Sequence, residues 1–176
     1  MKKIIIAIDS FKGCLTSAEA GKAAEKGIKS INPSCHTSVI PIADGGEGLL
    51  DVLITATKGK YITLSAHGPL MKMAKTHYGL SGNGRTAIIE MAAISGLPLV
   101  PIEQRNPMLT TTFGTGELIK DALNKGCRNF IIGIGGSATN DAGLGMLQAL
   151  GFRFLDKSGH TLGTGGQICL LYTSPS

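Results

Sequence analysis

The chain has 176 residues, 43% apolar and 16% charged, a globular composition that excludes a disordered or low-complexity segment. Its 25 glycines are too many for a helical bundle and follow no short repeat, so they fall to turns between strands and helices and favour an α/β fold. The net charge of +5 comes from scattered lysines and arginines with no basic block among aromatics, and Trp is absent, so no nucleic-acid partner is expected.

Met1-Lys2-Lys3 has the charge of a signal-peptide start, but the apolar run from Ile4 to Ile8 is cut off by Asp9, short of the ~7 to 15 residues such a peptide needs. No stretch is long enough to span a bilayer, so no membrane association and a cytoplasmic location are expected. The same run, closed by Asp9-Ser10, predicts a strand buried on both faces of a parallel sheet. Thr16-Ser17-Ala18-Glu19 opens a helix with a hydroxyl cap, and Asn32-Pro33 stops it. A second strand is expected from Thr37 to Ile42, then Ala43-Asp44-Gly45-Gly46-Glu47-Gly48 leads into a helix from Glu47 to about Thr57. Cys14, Cys35, Cys127 and Cys169 form no CxxC pair and have no histidine at zinc-site spacing.

From about Tyr61 the pattern changes to strand-like segments, Tyr61 to Ala66, Met73 to Leu80 and Arg85 to Glu90. The Ser81-Gly82-Asn83-Gly84 turn between the last two predicts a β-hairpin. A domain change is placed near residue 65 on that switch. Gly114-Thr115-Gly116-Glu117 starts a helix running to Asn124, with Thr115 as its alternative N-cap. Arg128 to Ile134 reads as a buried strand and Asp141 to Leu150 as a helix.

Asp9 and Asp44 each end a predicted strand, where open α/β sheets bind ligands. Two neighbouring carboxylates raise each other's proton affinity unless a cation sits between them, so Mg²⁺ or a hydroxyl proton is the natural third party. The alternative is that each caps its own turn. Lys12 reaches a phosphate or carboxylate as a point charge, or is simply solvated. Gly45 and Gly46 let backbone N–H groups approach an anion at a helix N-terminus, and Glu47 suits that first turn. Thr110 to Glu117 is rich in hydroxyls and glycine but lacks the lysine of a Walker A loop. Gly133-x-Gly135-x-x-Ala138 matches a permissive dinucleotide fingerprint, yet Thr139-Asn140-Asp141 place cap residues after it and delay the helix. The four histidines share no spacing that assigns them a role.

Taken together, Asp9-Ser10-Phe11-Lys12-Gly13, Ala43 to Gly48, Gly114 to Leu118 and Gly133 to Asp141 resemble the bacterial glycerate kinases of the glycerate 2-kinase type. Gly68-Pro69-Leu70, Glu90-Met91-Ala92 and Arg105-Asn106-Pro107 match as well. The resemblance runs from residue 1 to about 168. It implies ATP- and Mg²⁺-dependent phosphorylation of D-glycerate to 2-phosphoglycerate. The implied architecture is a partial flavodoxin-like parallel-sheet domain (1–65) followed by an inserted, incomplete α/β domain (66–168). Phosphoryl transfer needs positioning and charge neutralisation above all. On this reading Asp44 or Asp9 accepts the hydroxyl proton or holds Mg²⁺, and Lys12 neutralises a carboxylate or phosphate. Ser10, Gly45, Gly46 and Glu47 line the substrate side, and Gly135, Gly136, Ser137, Asn140 and Asp141 handle a second anion. Family members are considerably longer, so this stretch alone is expected to be inactive. Residues 169–176 resemble the translation of a sequencing adapter and are expected to be an artefactual tail. The alternatives are a nicotinamide-dependent oxidoreductase, requiring a helix from Gly135, and a non-catalytic module that binds small anions.

Overall fold

The computed structural model describes residues 3–172. β1 (Lys3–Ile6) pairs in parallel with β2 (His36–Val39), and α1 (Ser17–Ile31) forms the crossover between them. The start of α1 follows from its sequence: the Thr16 hydroxyl accepts from the Glu19 N–H at 3.2 Å, and the Glu19 carboxylate accepts from the Thr16 N–H at 2.9 Å. Such a reciprocal cap contributes about 1 kcal/mol. The helix lies so close to the sheet that any side chain at Gly21 would collide with Val39.

Two expectations for this region are corrected. β1 is not buried on both faces: Ile4 is exposed and Ile5 is 60% exposed. The described sheet here has only two strands, and α1 covers it with little more than Ser17, Ala20 and Gly21. β2 stops at Val39 rather than Ile42: the last ladder bond is donated by the Ile40 N–H to the Ile6 carbonyl at 2.8 Å, and the next N–H on that side, from Ile42, goes to the Ser17 hydroxyl at 3.0 Å instead of to β1.

The second sheet holds β3 (Lys60–His67), β4 (Met73–Leu80), β5 (Thr86–Glu90) and β6 (Asn129–Gly133) in that order. The first two pairings are antiparallel and β5–β6 is parallel, so the sheet is mixed. The expected hairpin at 81–84 is present, with the Ser81 N–H on the Thr86 carbonyl at 3.0 Å and Gly84 at φ +70°. α2 (Leu49–Thr57) packs Leu50 and Ile54 on Ile88 of this sheet, over the space left by Gly79. It begins two residues after Glu47 because Gly48 takes φ +90°, a left-handed conformation no helix contains.

The β5–β6 crossover carries α3 (Ala92–Ser95), single 3-10 turns at 97–99 and 102–104, and α4 (Phe113–Asn124). The main core lies beneath α4, where Ala66, Tyr78, Ile89, Ile94, Leu118 and Ala122 are buried together. Tyr78 keeps its hydroxyl satisfied by donating to Asp121 at 2.8 Å. Thr115 is not a cap. It lies inside the first turn of α4, buried, with its hydroxyl 2.9 Å from that of Ser95. β6 is shorter than Arg128 to Ile134 and alternates in burial, leaving Ile131 exposed.

α5 (Leu144–Ala149) starts three residues after Asp141, past Gly143 at φ +75°. A short α6 (Ile168–Tyr172), not anticipated, packs Ile168 with Leu144 and Leu162. Of the expected tail, residues 169–172 belong to this helix and 173–176 lie outside the described residues. The architecture is thus α/β, a parallel strand pair beside a mixed sheet with helices. No described helix is long and apolar enough to cross a membrane.

Candidate functional site

Because β1 and β2 are parallel, the chain leaves both at the same edge of the sheet, toward Asp9 and Asp44 respectively. One buried hydroxyl ties these exits together: Ser17 donates to the Ile8 carbonyl at 2.6 Å and accepts from the Ile42 N–H at 3.0 Å. Each carboxylate folds its own turn, Asp9 accepting from the Ser10 N–H at 2.7 Å and Asp44 from the Gly46 N–H at 3.0 Å. In both cases the bond uses Oδ1. Lys12 is exposed in the tight turn closed by the Phe11 N–H on the Leu15 carbonyl at 2.8 Å, with Gly13 at φ +71°.

The Asp44 turn does not stand alone. The Gly135 N–H donates to the Gly45 carbonyl at 3.2 Å, seating the Gly133–Gly136 segment directly on Gly45-Gly46. A Cβ at Gly135 would stand 2.7 Å from the Gly46 Cα, and one at Gly133 would stand 2.5 Å from the Gly45 carbonyl oxygen, so the approach requires glycine at both places. Two of the glycine-containing segments singled out in the sequence therefore form one continuous surface.

Glu90, at the end of β5 opposite Gly133, closes this junction from below. Its carboxylate accepts from the Leu50 N–H at 3.3 Å, and also from the Gly48 N–H, which places it on the N-terminus of α2. Burial pushes its carboxyl above the usual carboxylate range; the two N–H groups oppose the shift, and nearby Asp51 and Glu47 add to it. The N-terminus of α2 was expected to face an external anion. Its first free N–H groups instead face Glu90, which already meets their need for a negative partner.

Glu47 and Ser10 line a cavity of about 360 Å³ between α1, α2 and the Phe11–Leu15 turn, together with Glu19 and Asp51. A second, shallower cleft of about 250 Å³ lies at residues 137–140, bounded by Leu97 and Arg105–Pro107. Within it the Ser137 hydroxyl donates to the Thr139 carbonyl at 3.0 Å and accepts from the Thr139 N–H at 3.1 Å. Asn140 is exposed, whereas Asp141 is 1% exposed and turned inward. Asp141 accepts from the Thr112 N–H at 2.8 Å, from the Thr112 hydroxyl, and from the Gly143 and Gly145 N–H groups at 3.0 and 3.2 Å. Of the residues grouped as a second anion site, Gly135, Gly136, Ser137 and Asn140 thus lie on the turn, while Asp141 holds the turn to the start of α4.

The dinucleotide arrangement is absent. After Gly135 the chain runs through turns as far as Gly143, and no helix starts within the glycine segment. Among the described residues no three His, Cys, Asp or Glu side chains converge to hold a metal ion. Asp9 and Asp44 carry carboxylate oxygens of the hard kind that Mg²⁺ takes, and either would hold it only with further ligands from water or substrate.

Sequence reasoning missed Ser17 and Glu90. Ser17 reads locally as part of a helix cap, and Glu90 as the last residue of a strand. Only the pairing of segments far apart in the chain shows what they connect.

These elements define an α/β protein in which two glycine-containing turns, at Gly45–Gly46 and Gly133–Gly136, meet beyond the carboxyl ends of parallel strands. The chain belongs to the Glycerate kinase family, whose model matches residues 4–171. It is 56% identical over 164 residues to the glycerate kinase of Bacillus subtilis (strain 168), covering 93% of this chain and 43% of that protein. It is 51% identical over 164 residues to the glycerate 2-kinase of Escherichia coli (strain K12), with the same coverage. A Salmonella typhimurium LT2 crystal structure, described as a glycerate kinase 2, superposes with a TM-score of 0.83 at 47% identity, covering 97% of this chain and 46% of that one. The chain therefore spans less than half the length of the relatives it matches.

Proposed function

We propose that this chain supplies part of the catalytic crevice of an ATP-dependent kinase that phosphorylates D-glycerate to 2-phosphoglycerate in the cytoplasm. The observation that carries this reading is the seating of Gly133–Gly136 on the Asp44 turn, in a member of the Glycerate kinase family. On the same reading, residues 1–65 begin a flavodoxin-like domain and 66–168 belong to an inserted one.

Asp44 and Asp9 lie past the ends of adjacent parallel strands, and each uses Oδ1 to fold its own turn. One of them accepts the proton of the attacking hydroxyl and the other holds Mg²⁺, which supplies charge neutralisation at the transferring phosphate when bound. Lys12, in the neighbouring turn, neutralises the substrate carboxylate or a phosphate. Ser10, Gly45, Gly46 and Glu47 border the substrate, and Gly135, Gly136, Ser137 and Asn140 face the second anion. Asp141 acts through them by holding the loop.

Titration calorimetry of the purified chain with Mg-ATP and with D-glycerate tests the reading; binding of NADH in their place sinks it. Asp44→Asn, carried on a full-length family member and assayed by ADP release with the product identified by ³¹P NMR, should lower turnover by about 10² to 10⁴-fold. A loss under about threefold removes Asp44 from the chemistry, since a positioned base contributes far more than that.

A further inference from the structure

The two cavities are electrostatic opposites. The larger one, between α1 and α2, is lined by Glu19, Glu47 and Asp51 and by no lysine or arginine. The cleft at 137–140 is lined by Arg105 and two asparagines and by no carboxylate.

The hydrogen bonds in that cleft make the contrast sharper. Arg105 is exposed and spends its Nε–H on the Val100 carbonyl at 3.2 Å, which fixes the root of the guanidinium and leaves both terminal nitrogens without a partner among the described residues. Asn106 uses its side-chain oxygen to accept from the Met108 N–H at 3.0 Å. That bond turns its amide assignment: the oxygen is committed and the NH₂ group remains to donate. The side chain of Asn140 has no partner among the described residues. Ser137, the other hydroxyl-bearing group of the turn besides Thr139, is satisfied locally. What the cleft has left to offer is therefore one cation and a set of N–H donors, with Leu97 and Pro107 as apolar walls. A planar guanidinium fork flanked by amide donors matches the oxygens of a phosphate or carboxylate.

We infer that Arg105, Asn106 and Asn140 form an oxyanion-binding subsite in the cleft at residues 137–140. Its ligand is a phosphate or carboxylate group, and the inference rests on the kinase reading only for which of the two it takes. The Asp44 turn meets this loop at Gly135, and the cleft is lined by the same loop from Ser137 to Asn140.

The test is an amide NMR titration of the full chain with sodium tripolyphosphate and, separately, with D-glycerate, using sodium chloride at matched ionic strength as control. Shifts at Arg105–Asn106 and Ser137–Asn140 are expected with one of the two anions, and that anion identifies the source of the oxyanion. Arg105→Ala should weaken it by about tenfold or more, the loss of a charge-assisted bond, and Arg105→Lys should recover part of that. Asn140→Ala, at an exposed site outside the core, should weaken it by a smaller factor and guards against misfolding of the arginine variant. No shift at these residues with either anion, or equal affinity in Arg105→Ala, overturns the subsite. Binding of Mg-ATP and D-glycerate with shifts confined elsewhere overturns the subsite alone. Tripolyphosphate shifts in the cleft that Arg105→Ala abolishes, in a chain that binds neither Mg-ATP nor D-glycerate, support the subsite and sink the kinase reading.

Discussion

The two sheets of this molecule are built to different standards of burial. In the mixed sheet, Ile88 and Ile89 of β5 are covered on both faces, by α2 on one side and by α4 with its core cluster on the other. In β1 of the parallel pair, Ile4 and Ile5 are exposed, as are Ile40 and Ile42 just past β2, though the run from Ile4 to Ile8 is just as apolar. Apolar runs of the same kind become core or surface according to what packs on them, and the proposed catalytic carboxylates sit on the thinly covered side. The largest buried cluster therefore lies apart from the Asp9 and Asp44 turns.

The strongest way to break that comparison is by truncation in each half. Leu118→Ala, beneath α4 at 0% exposure, should cost about 2 to 5 kcal/mol in urea unfolding, whereas Ile5→Ala should stay within about 0.5 kcal/mol. Equal losses would mean that β1 is covered in solution. Gly135→Ala comes next. Its Cβ has no room against Gly46, and forced overpacking of this kind costs about 1 to 3 kcal/mol, while loss of the Gly45 contact should broaden the amide resonances of residues 44–48. Ser17→Ala removes the hydroxyl between the Ile8 carbonyl and the Ile42 N–H and should cost about 1 to 2 kcal/mol, read as a lower urea midpoint with an unchanged slope.

The smallest effect is a pH dependence at Glu90. Its folded carboxyl is held above the ordinary value by burial, so between the unfolded and folded values the native state binds more protons than the unfolded one. Stability then falls as pH rises through that window, and is highest below it. Glu90→Gln, which keeps an acceptor for Leu50, should flatten this part of the profile in urea titrations at a series of pH values. An unchanged slope would show that the carboxylate is relieved by solvent.

Much of the secondary structure was legible because its signals are local. The Thr16–Glu19 box and the 81–84 turn are short-range chemistry and appear where the sequence puts them. The start of α5 was not, since Asp141 has the form of an N-cap but gives its oxygens to Thr112 as well as to Gly143 and Gly145. Nor was the depth of burial of β1, which depends on neighbouring layers that no periodicity encodes. At the candidate site, pattern placed Asp9 and Asp44 at the ends of strands, whereas β1 stops at Ile6 and β2 at Val39, so both lie in the turns beyond. The meeting of Gly45 with Gly135, the capping of α2 by Glu90 and the donor set around Arg105 come from segments brought together only by the finished fold.

That meeting of Gly45 and Gly135 also has a bearing on the order of assembly. Closing it requires two segments separated by the whole mixed sheet to find each other, and the entropy of such a closure grows with the intervening chain. The β3–β4 hairpin faces no such penalty and can form early. The Gly45–Gly135 contact is thus expected to form after local elements such as the β3–β4 hairpin, so the glycine junction is assembled on a sheet already in place.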